Sequence, residues 1–398
     1  MRTHTQPIGP PVATAPPDRL PVTALAVMAL AGFIVITTET LPAGLLPQLV
    51  AEYAVSEGTA GQLVAAYALG TVGAAIPAMA LTRGLARKRL LVIGLLGFLF
   101  ANTVMAAAPT FGVALMARVI AGAFSGLLWA MLAGYARRIV APELAGRALA
   151  IAMAGTPVAL SIGTPLGSWL GDAVGWRWAF ASMSALTIVV VALVLAVVPD
   201  APGQRAEARI SIGRVAAIPG VATVLAVVFA WMLAHNLLYT YIAPYLAGSG
   251  AGLRPDVALG MFGVAALVGV WGTGAFIDRA LGRLTLVSTA GFIVSGVILL
   301  ALPGALAATI VAIVIWGIAF GGAATQLQTA IGNAAGESAD DANAMLTTVF
   351  NLAIFGGASL GAGLVDGLGS ATLPAAMVIL SAVALLVVAL GRRGVFPR

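Results

Sequence analysis

Apolar runs recur along this chain from residue 22 to residue 390, broken by short clusters of charge, glycine and proline. Crossing roughly 30 Å of hydrocarbon as a helix takes about 20 residues, and these runs reach that length. Lipid offers no partner for a backbone amide or carbonyl, so each run must satisfy its own, as a helix does. Charge is scarce: 9% of the 398 residues are Asp, Glu, Lys or Arg and 61% are hydrophobic, where a soluble domain carries roughly 25% charge. The chain therefore reads as an all-α polytopic membrane protein, with no stretch outside the membrane long enough for a soluble domain.

Breaks at charge and Gly/Pro clusters predict twelve transmembrane helices, near 22–47, 59–81, 89–108, 111–136, 145–171 and 176–198, then 217–246, 257–277, 284–302, 305–330, 341–365 and 371–390. Residues 1–21 read as a disordered Pro/Thr-rich tail. The run after it continues through Glu39 and reads as a first span rather than a cleaved leader. Residues 199–216 read as a linker and 391–398 as a short tail. Of the basic residues, Arg2, Arg19, Arg83, Arg87, Lys88, Arg89, Arg137, Arg138, Arg147, Arg205, Arg209, Arg214, Arg279, Arg283, Arg392, Arg393 and Arg398 fall on one side of these spans, and only Arg177 and Arg254 on the other. By the positive-inside rule both termini and the linker are expected in the cytoplasm. The net charge of +6 follows from this topology and not from nucleic-acid affinity. Heavy Ala/Gly usage and arginine in place of lysine suggest a GC-rich bacterial genome, hence the inner membrane.

Cysteine is absent, which excludes disulfides, iron–sulfur clusters and thiolate metal sites. The two histidines, His4 and His235, are too few and too far apart for a metal site. No cofactor is expected. Nor does the chain offer a phosphate loop or a cluster of polar catalytic groups at one membrane depth, so it does not read as a membrane enzyme.

The halves repeat at a shift of 194–196 residues. Gly163-Thr-Pro-Leu-Gly167-Ser-Trp-Leu-Gly-Asp172 matches Gly357-Ala-Ser-Leu-Gly361-Ala-Gly-Leu-Val-Asp366, and Thr82-Arg83-Gly-Leu-Ala-Arg87 matches Asp278-Arg279-Ala-Leu-Gly-Arg283. Two six-helix bundles, 22–198 and 217–390, related by parallel pseudo-symmetry are predicted, an architecture that places a transport site between repeats. Only Glu39 and Arg118 carry charge deep inside a span. Such residues are costly in lipid and mark pathways or partners. Glu39 could be a structural partner of Arg118 or of neighbouring hydroxyls, or the two could act as separate stations for protons or substrate.

The chain resembles the major facilitator superfamily, within it the twelve-span drug:proton antiporters, and among these the sugar-efflux, arabinose-efflux-like and chloramphenicol-export branch. Four features over 22–390 carry the likeness. The loop Leu81-Thr-Arg-Gly-Leu-Ala-Arg-Lys-Arg89 and its copy around Asp278 and Arg279 resemble the superfamily's cytoplasmic latch, with Thr82 standing where the first aspartate is expected. Arg118-Val-Ile-Ala-Gly122 resembles an intramembrane R-x-x-x-G element implicated in proton coupling. Gly155-Thr-Pro157, then Gly163-Thr-Pro165-Leu-Gly167-Ser-Trp-Leu-Gly171, resembles the antiporter signature of span 5. Thr37-Thr-Glu39-Thr-Leu-Pro42-Ala-Gly44-Leu-Leu-Pro47 resembles the branch's first-span motif.

The resemblance implies a monomeric, proton-coupled exporter of small amphipathic molecules such as drugs. It would work by alternating access in the lipid bilayer, with Glu39 as proton carrier, Arg118 as its regulator and the glycine face of span 5 as the moving seam. A metabolite exporter for sugars, nucleobases or amino-acid derivatives is the alternative. The family's cavity-lining spans imply Tyr67, Trp129, Trp231, His235, Asn236, Tyr239, Tyr241, Trp316, Gln326, Gln328, Asn351 and Phe355 as substrate-facing candidates. Tyr239, Tyr241 and Tyr245 could instead form an aromatic belt at the membrane surface.

Overall fold

The computed structural model describes residues 19–82, 84–203, 212–391 and 395–396. Residues 1–18 of the expected tail, Arg83, Arg205 and Arg209 of the linker, Arg392, Arg393 and Arg398 lie outside the described residues. The described chain is helical and carries no strand. The N-terminal half comprises α1 (Val22–Tyr53), α2 (Glu57–Thr82), α3 (Arg87–Ala107), α4 (Phe111–Arg138), α5 (Ala145–Met153), α6 (Gly155–Val158), α7 (Thr164–Val174) and α8 (Trp176–Val197). After α9 (Ile212–Ala216) come α10 (Val221–Thr240), α11 (Ile242–Ser249), α12 (Pro255–Ala301), α13 (Leu306–Gly321), α14 (Ala323–Ala335), α15 (Ala339–Leu368) and α16 (Leu373–Gly391).

Ten helical stretches among the described residues are long and apolar enough to cross a membrane, where twelve spans are expected from sequence. The difference has two sources. The α2 helix, 26 residues with Pro77 inside it, is not among the ten. The α12 helix runs 47 residues, roughly 70 Å at 1.5 Å per residue, more than twice a hydrocarbon core. Its backbone leaves helical geometry at Ala280 (φ −145°, ψ 29°), inside the Asp278–Arg283 loop motif, so the expected spans 257–277 and 284–302 are its two legs.

Proline sets most of the other irregularities, because it removes one backbone donor and frees the carbonyl four residues earlier. Pro42 and Pro47 lie inside α1. The expected span 217–246 is two helices that part at Tyr241 (φ −110°, ψ 25°), three residues before Pro244. Span 5 carries a five-residue π turn, Ala159–Gly163, between α6 and α7. It lies between Pro157 and Pro165, and the Ser161 hydroxyl folds back onto the Pro157 carbonyl at 2.7 Å.

Buried side chains sort by half. One set of clusters draws on residues between Ala24 and Ala201. Another draws on residues from Val215 to Phe396, with Ala43, Leu46 and Ala60 joining it from across the interface. Val395 and Phe396 are buried in that second core, so this part of the expected C-terminal tail packs back onto the protein. The large side chains left outside, such as Trp271 at 76% and Leu390 at 75% exposure, suit a surface that faces hydrocarbon. At the arginine-rich end the start of the linker is tied down: the Arg87 amide donates to the Ala201 carbonyl, the Tyr135 hydroxyl to Pro199 and the Arg138 guanidinium to Pro202.

Candidate functional site

The two charged residues of the spans meet, but not as an ion pair. Arg118 is buried in the N-terminal third of α4. Its guanidinium donates to three main-chain carbonyls: Nε to Leu63 at 2.9 Å, Nη1 to Thr38 at 2.5 Å and Nη2 to Glu39 at 2.9 Å. The cause lies in α1. Pro42 has no amide hydrogen for the Thr38 carbonyl, and the proline ring loosens that turn. A fixed fork of N–H donors takes the place of the missing amide, as buried backbone in a membrane requires. The Arg118 guanidinium also lies 4.5 Å from the centroid of the Tyr67 ring, and the Tyr67 hydroxyl donates to the Val35 carbonyl at 3.1 Å.

Glu39 is half-buried, and its carboxylate makes no ion pair or hydrogen bond among the described residues. The neighbouring hydroxyls look elsewhere. Thr38 Oγ1 accepts from Asn102 at 3.1 Å, and Thr40 Oγ1 lies 2.5 Å from Thr164 Oγ1. The electrostatic neighbours of the carboxylate are Arg118, Tyr67 and, from the C-terminal half, Tyr239. A carboxylate with a guanidinium beside it, yet not bonded to it, is free to exchange a proton or meet a ligand.

Of the substrate-facing candidates, four come together. His235 stacks on Phe320 (3.9 Å between ring centroids, 15° between planes) and on Phe262 (5.6 Å, 28°). It also lies 5.4 Å from Trp316 and 5.1 Å from Tyr239. Trp231 joins edge-on through Phe292 at 5.6 Å. The sequence reading names Trp231, His235, Tyr239 and Trp316 but misses Phe262, Phe292 and Phe320, since nothing in an apolar run separates a phenylalanine in such a cage from one facing lipid.

The other candidates lie elsewhere. Trp129 is half-buried against the N-terminal core. Gln326 donates to Thr273 and Ser288, both at 3.1 Å, within the C-terminal half. Asn236 and Asn351 donate to carbonyls of their own helices, Met232 and Thr347. Phe355 packs beside Val64, Ala65 and Ala68, where α2 meets α15. Gln328 is exposed.

The three tyrosines do not form a belt. Tyr239, Tyr241 and Tyr245 are 4%, 0% and 2% exposed. Tyr241 is a bolt between the halves: its hydroxyl donates to Ala358 at 2.7 Å and lies 3.3 Å from the Gly58 carbonyl. Its ring occupies a slot that a side chain on Gly61 or Gly361 would fill.

The glycine stripe of span 5 also needs reassignment. A Cβ on Gly155 would collide with the Ala29 carbonyl, on Gly163 with Thr37, on Gly167 with Leu41 and on Gly171 with Leu45. All four partners belong to α1, so the stripe seats span 5 against span 1 of the same half. The face that meets the other half is made by Leu160 and Ser161, which Gly263 of α12 admits, and by Pro165, which lies against Gly260 of the same helix. Asp278 and Arg279 are exposed and make no ion pair among the described residues; with Arg83 outside those residues, the latch reading stays an expectation.

At the arginine-poor end the repeated aspartates, Asp172 and Asp366, close the halves onto each other. Asp366, in the last turn of α15, accepts from Ser56 Oγ at 2.7 Å and from the Gly58 amide at 2.9 Å, at the start of α2. Asp172, near the end of α7, lies 3.6 Å from Arg254, which forks onto Asp256 at 3.0 and 2.9 Å at the start of α12. The Asp256 carboxylate holds the Arg254 guanidinium above its usual range by hydrogen bond and charge. Burial, with a further contribution from Asp366, pushes the Glu57 carboxyl up. Arg177 is likewise paired, with Glu52 at 2.7 Å. Among the described residues no three of His, Cys, Asp or Glu gather as metal ligands.

Comparison with known proteins agrees with this architecture. Residues 28–358 match the model of the Major Facilitator Superfamily. The chain is 32% identical over 371 residues to a chloramphenicol efflux pump of Mycobacterium tuberculosis (strain CDC 1551 / Oshkosh), covering 90% of this chain and 87% of that protein. It is 26% identical to a probable sugar efflux transporter of Mannheimia succiniciproducens, covering 90% and 91%. To a purine ribonucleoside efflux pump of Escherichia coli O1:K1 / APEC it is 28% identical, covering 84% and 85%.

Proposed function

The chain belongs to the Major Facilitator Superfamily, and we propose that it is a proton-coupled exporter of small amphipathic molecules, working by alternating access. Membership makes it a multi-pass membrane transporter and not an enzyme. Export is the shared theme of the relatives' names.

The observation that carries proton coupling is the state of Glu39. It lies between the halves, has no ion-pair partner among the described residues, and is reached electrostatically by Tyr239 of the opposite half. Such a carboxylate can take a proton when substrate leaves and release it when substrate or a rearranged guanidinium arrives. Arg118 sets the electrostatics of this exchange from a fixed position, because its donors are committed to backbone.

The monomer rocks as two bundles, 22–198 and 217–390, with both termini on the cytoplasmic side of the bacterial inner membrane. The seam is the Leu160–Pro165 face of span 5 against Gly260 and Gly263 of α12. The aspartate contacts and the Tyr241 bolt support reading this conformer as closed to the outside. A metabolite exporter is the alternative, supported by the relatives named for a sugar and a purine ribonucleoside.

The test is uptake into inside-out vesicles or proteoliposomes under an imposed proton gradient. Chloramphenicol, a purine ribonucleoside and a pentose serve as probes. Saturable accumulation that collapses with the gradient is expected for at least one of them. Saturable transport indifferent to the gradient, or none with any probe, overturns the reading.

A further inference from the structure

We infer that Tyr239 is a positioning residue for proton coupling. Its hydroxyl is the contact through which the C-terminal half reads the charge on Glu39, because a pair of threonines and the carboxylate compete for its one hydrogen. The inference rests on the proton-coupled reading above and deepens it.

The pair is Thr40 of α1 and Thr164, the first residue of α7, whose hydroxyl oxygens lie 2.5 Å apart. Thr40 follows Glu39 directly. Thr164 follows the π turn of span 5 and precedes Pro165 of the face that meets the other half. Tyr239 arrives from the C-terminal half, in the last turn of α10, and is buried. Its hydroxyl makes no well-formed hydrogen bond in this conformer, yet both threonine hydroxyls are within its reach and it lies in the field of Glu39. A buried phenol with an unmet hydrogen is costly, so the group is poised between two acceptors.

Counting hydrogens gives the direction. At 2.5 Å one threonine donates to the other. Thr40 has a good backbone acceptor in the Ile36 carbonyl at 2.8 Å, whereas Thr164 has only the Ala159 carbonyl at 3.4 Å. The best set is therefore Thr164 donating to Thr40, and Thr40 to Ile36. Both threonine hydrogens are then spent inside the N-terminal half, and the pair offers Tyr239 lone pairs alone. The phenol is the donor across the interface.

Glu39 competes for the same hydrogen. An ionised carboxylate accepts a hydrogen bond roughly twice as strong as a neutral oxygen does. A proton on Glu39 leaves the phenol to the threonines and fastens α10 to spans 1 and 5; loss of that proton draws the phenol away and loosens the fastening. The other groups around the carboxylate are committed. Arg118 of α4 donates to three carbonyls and Tyr67 of α2 to Val35. His235 lies 5.1 Å from the Tyr239 ring, on the same helix. Asp172 of α7 and Arg177 of α8 are engaged at the arginine-poor end, with Gln48 and Glu52.

Infrared difference spectra of the purified full-length protein in detergent, between acid and alkaline buffer, test the switch through the tyrosine C–O stretch, which reports a change of hydrogen-bond partner. The pH-dependent tyrosine signal should shrink equally in Tyr239→Phe and in Glu39→Gln. A signal unchanged by Tyr239→Phe, or a Tyr239 component that persists in Glu39→Gln, overturns the inference. Proteoliposomes give the second readout, with chloramphenicol, inosine and arabinose as probes. Tyr239→Phe keeps the ring in its packing. It should leave gradient-free exchange near wild type and cut the protons moved per molecule about tenfold, as loss of one hydrogen bond to a charged group does. Thr164→Val should lower that ratio as well, and Thr164→Ser should restore it. Equal loss of exchange and driven transport in Tyr239→Phe would mark a packing role and overturn the inference. Undiminished coupling in folded Tyr239→Phe removes it too, and leaves the exporter reading standing. The expected infrared signal without gradient-driven transport of any probe does the reverse.

Discussion

Replacing Arg118 should weaken the fold through α1, and the loss should depend on Pro42. The guanidinium donates to the carbonyls of Thr38, Glu39 and Leu63. Interhelical hydrogen bonds in membrane proteins are worth roughly 0.6 kcal/mol on average and about 1.7 at most. Three of them place Arg118→Leu at about 2–5 kcal/mol of destabilisation. The Thr38 bond exists because Pro42 cannot supply an amide hydrogen. In a Pro42→Ala background the new amide takes that carbonyl, so the cost of Arg118→Leu should fall by about 1 kcal/mol. Reversible unfolding in mixed detergent–SDS micelles, followed by helix content, measures all four corners of the cycle. A coupling within about 0.3 kcal/mol of zero, the usual scatter of independent sites, would refute the idea that the arginine fills the proline's gap.

Further tests follow from the same geometry. Glu39→Gln should abolish gradient-driven transport while the protein remains folded in the membrane; undiminished coupling would move the proton site elsewhere. Gly163→Leu should lower stability or yield, because its side chain would run into Thr37 and Phe33 of the same half. Gly263→Leu should instead disturb the inter-half seam and bias the conformer, read by distances between introduced labels; equal effects of the two variants would refute the reassigned seam. Asp366→Asn and Asp172→Asn should each raise accessibility at the arginine-poor end, measured on single cysteines in a chain that has none of its own. The raised Glu57 carboxyl binds a proton more readily in this closed form, so lowering pH through its titration should favour closure. Glu57→Gln should hold the closed form and flatten that pH dependence, read by the same labels.

Much of the fold was legible because lipid imposes one rule on backbone and another on charge. Run length gave the spans, and arginine placement gave two distinct ends. The repeat aligned Asp172 with Asp366, the pair that now occupies equivalent inter-half contacts. What sequence could not supply was azimuth. Glycines at 155, 163, 167 and 171 mark a close approach, yet spacing alone does not say to which neighbour, and they turned out to face α1. Tyr239, Tyr241 and Tyr245 sit at a depth that suits a surface belt. The break at Tyr241 turns them inward, and the Pro244 responsible was visible without its consequence being so. Glu39 and Arg118 were identifiable as the only charges within spans, but a guanidinium bonded to main chain leaves no trace in composition. The aromatic cage was half legible, through the polar or amphipathic members and not the phenylalanines.

The two aspartate contacts at the arginine-poor end are reciprocal: each half lends an acid from its fifth span and receives one at the start of its second. They therefore act as a bivalent tether. While one is made, the other's partners stay at high effective concentration and re-form before the halves can part. The lifetime of the closed end then scales with the product of two weak contacts rather than their sum. A modest change at either acid, by proton, salt or substitution, is multiplied into a large change in how long the door stays shut.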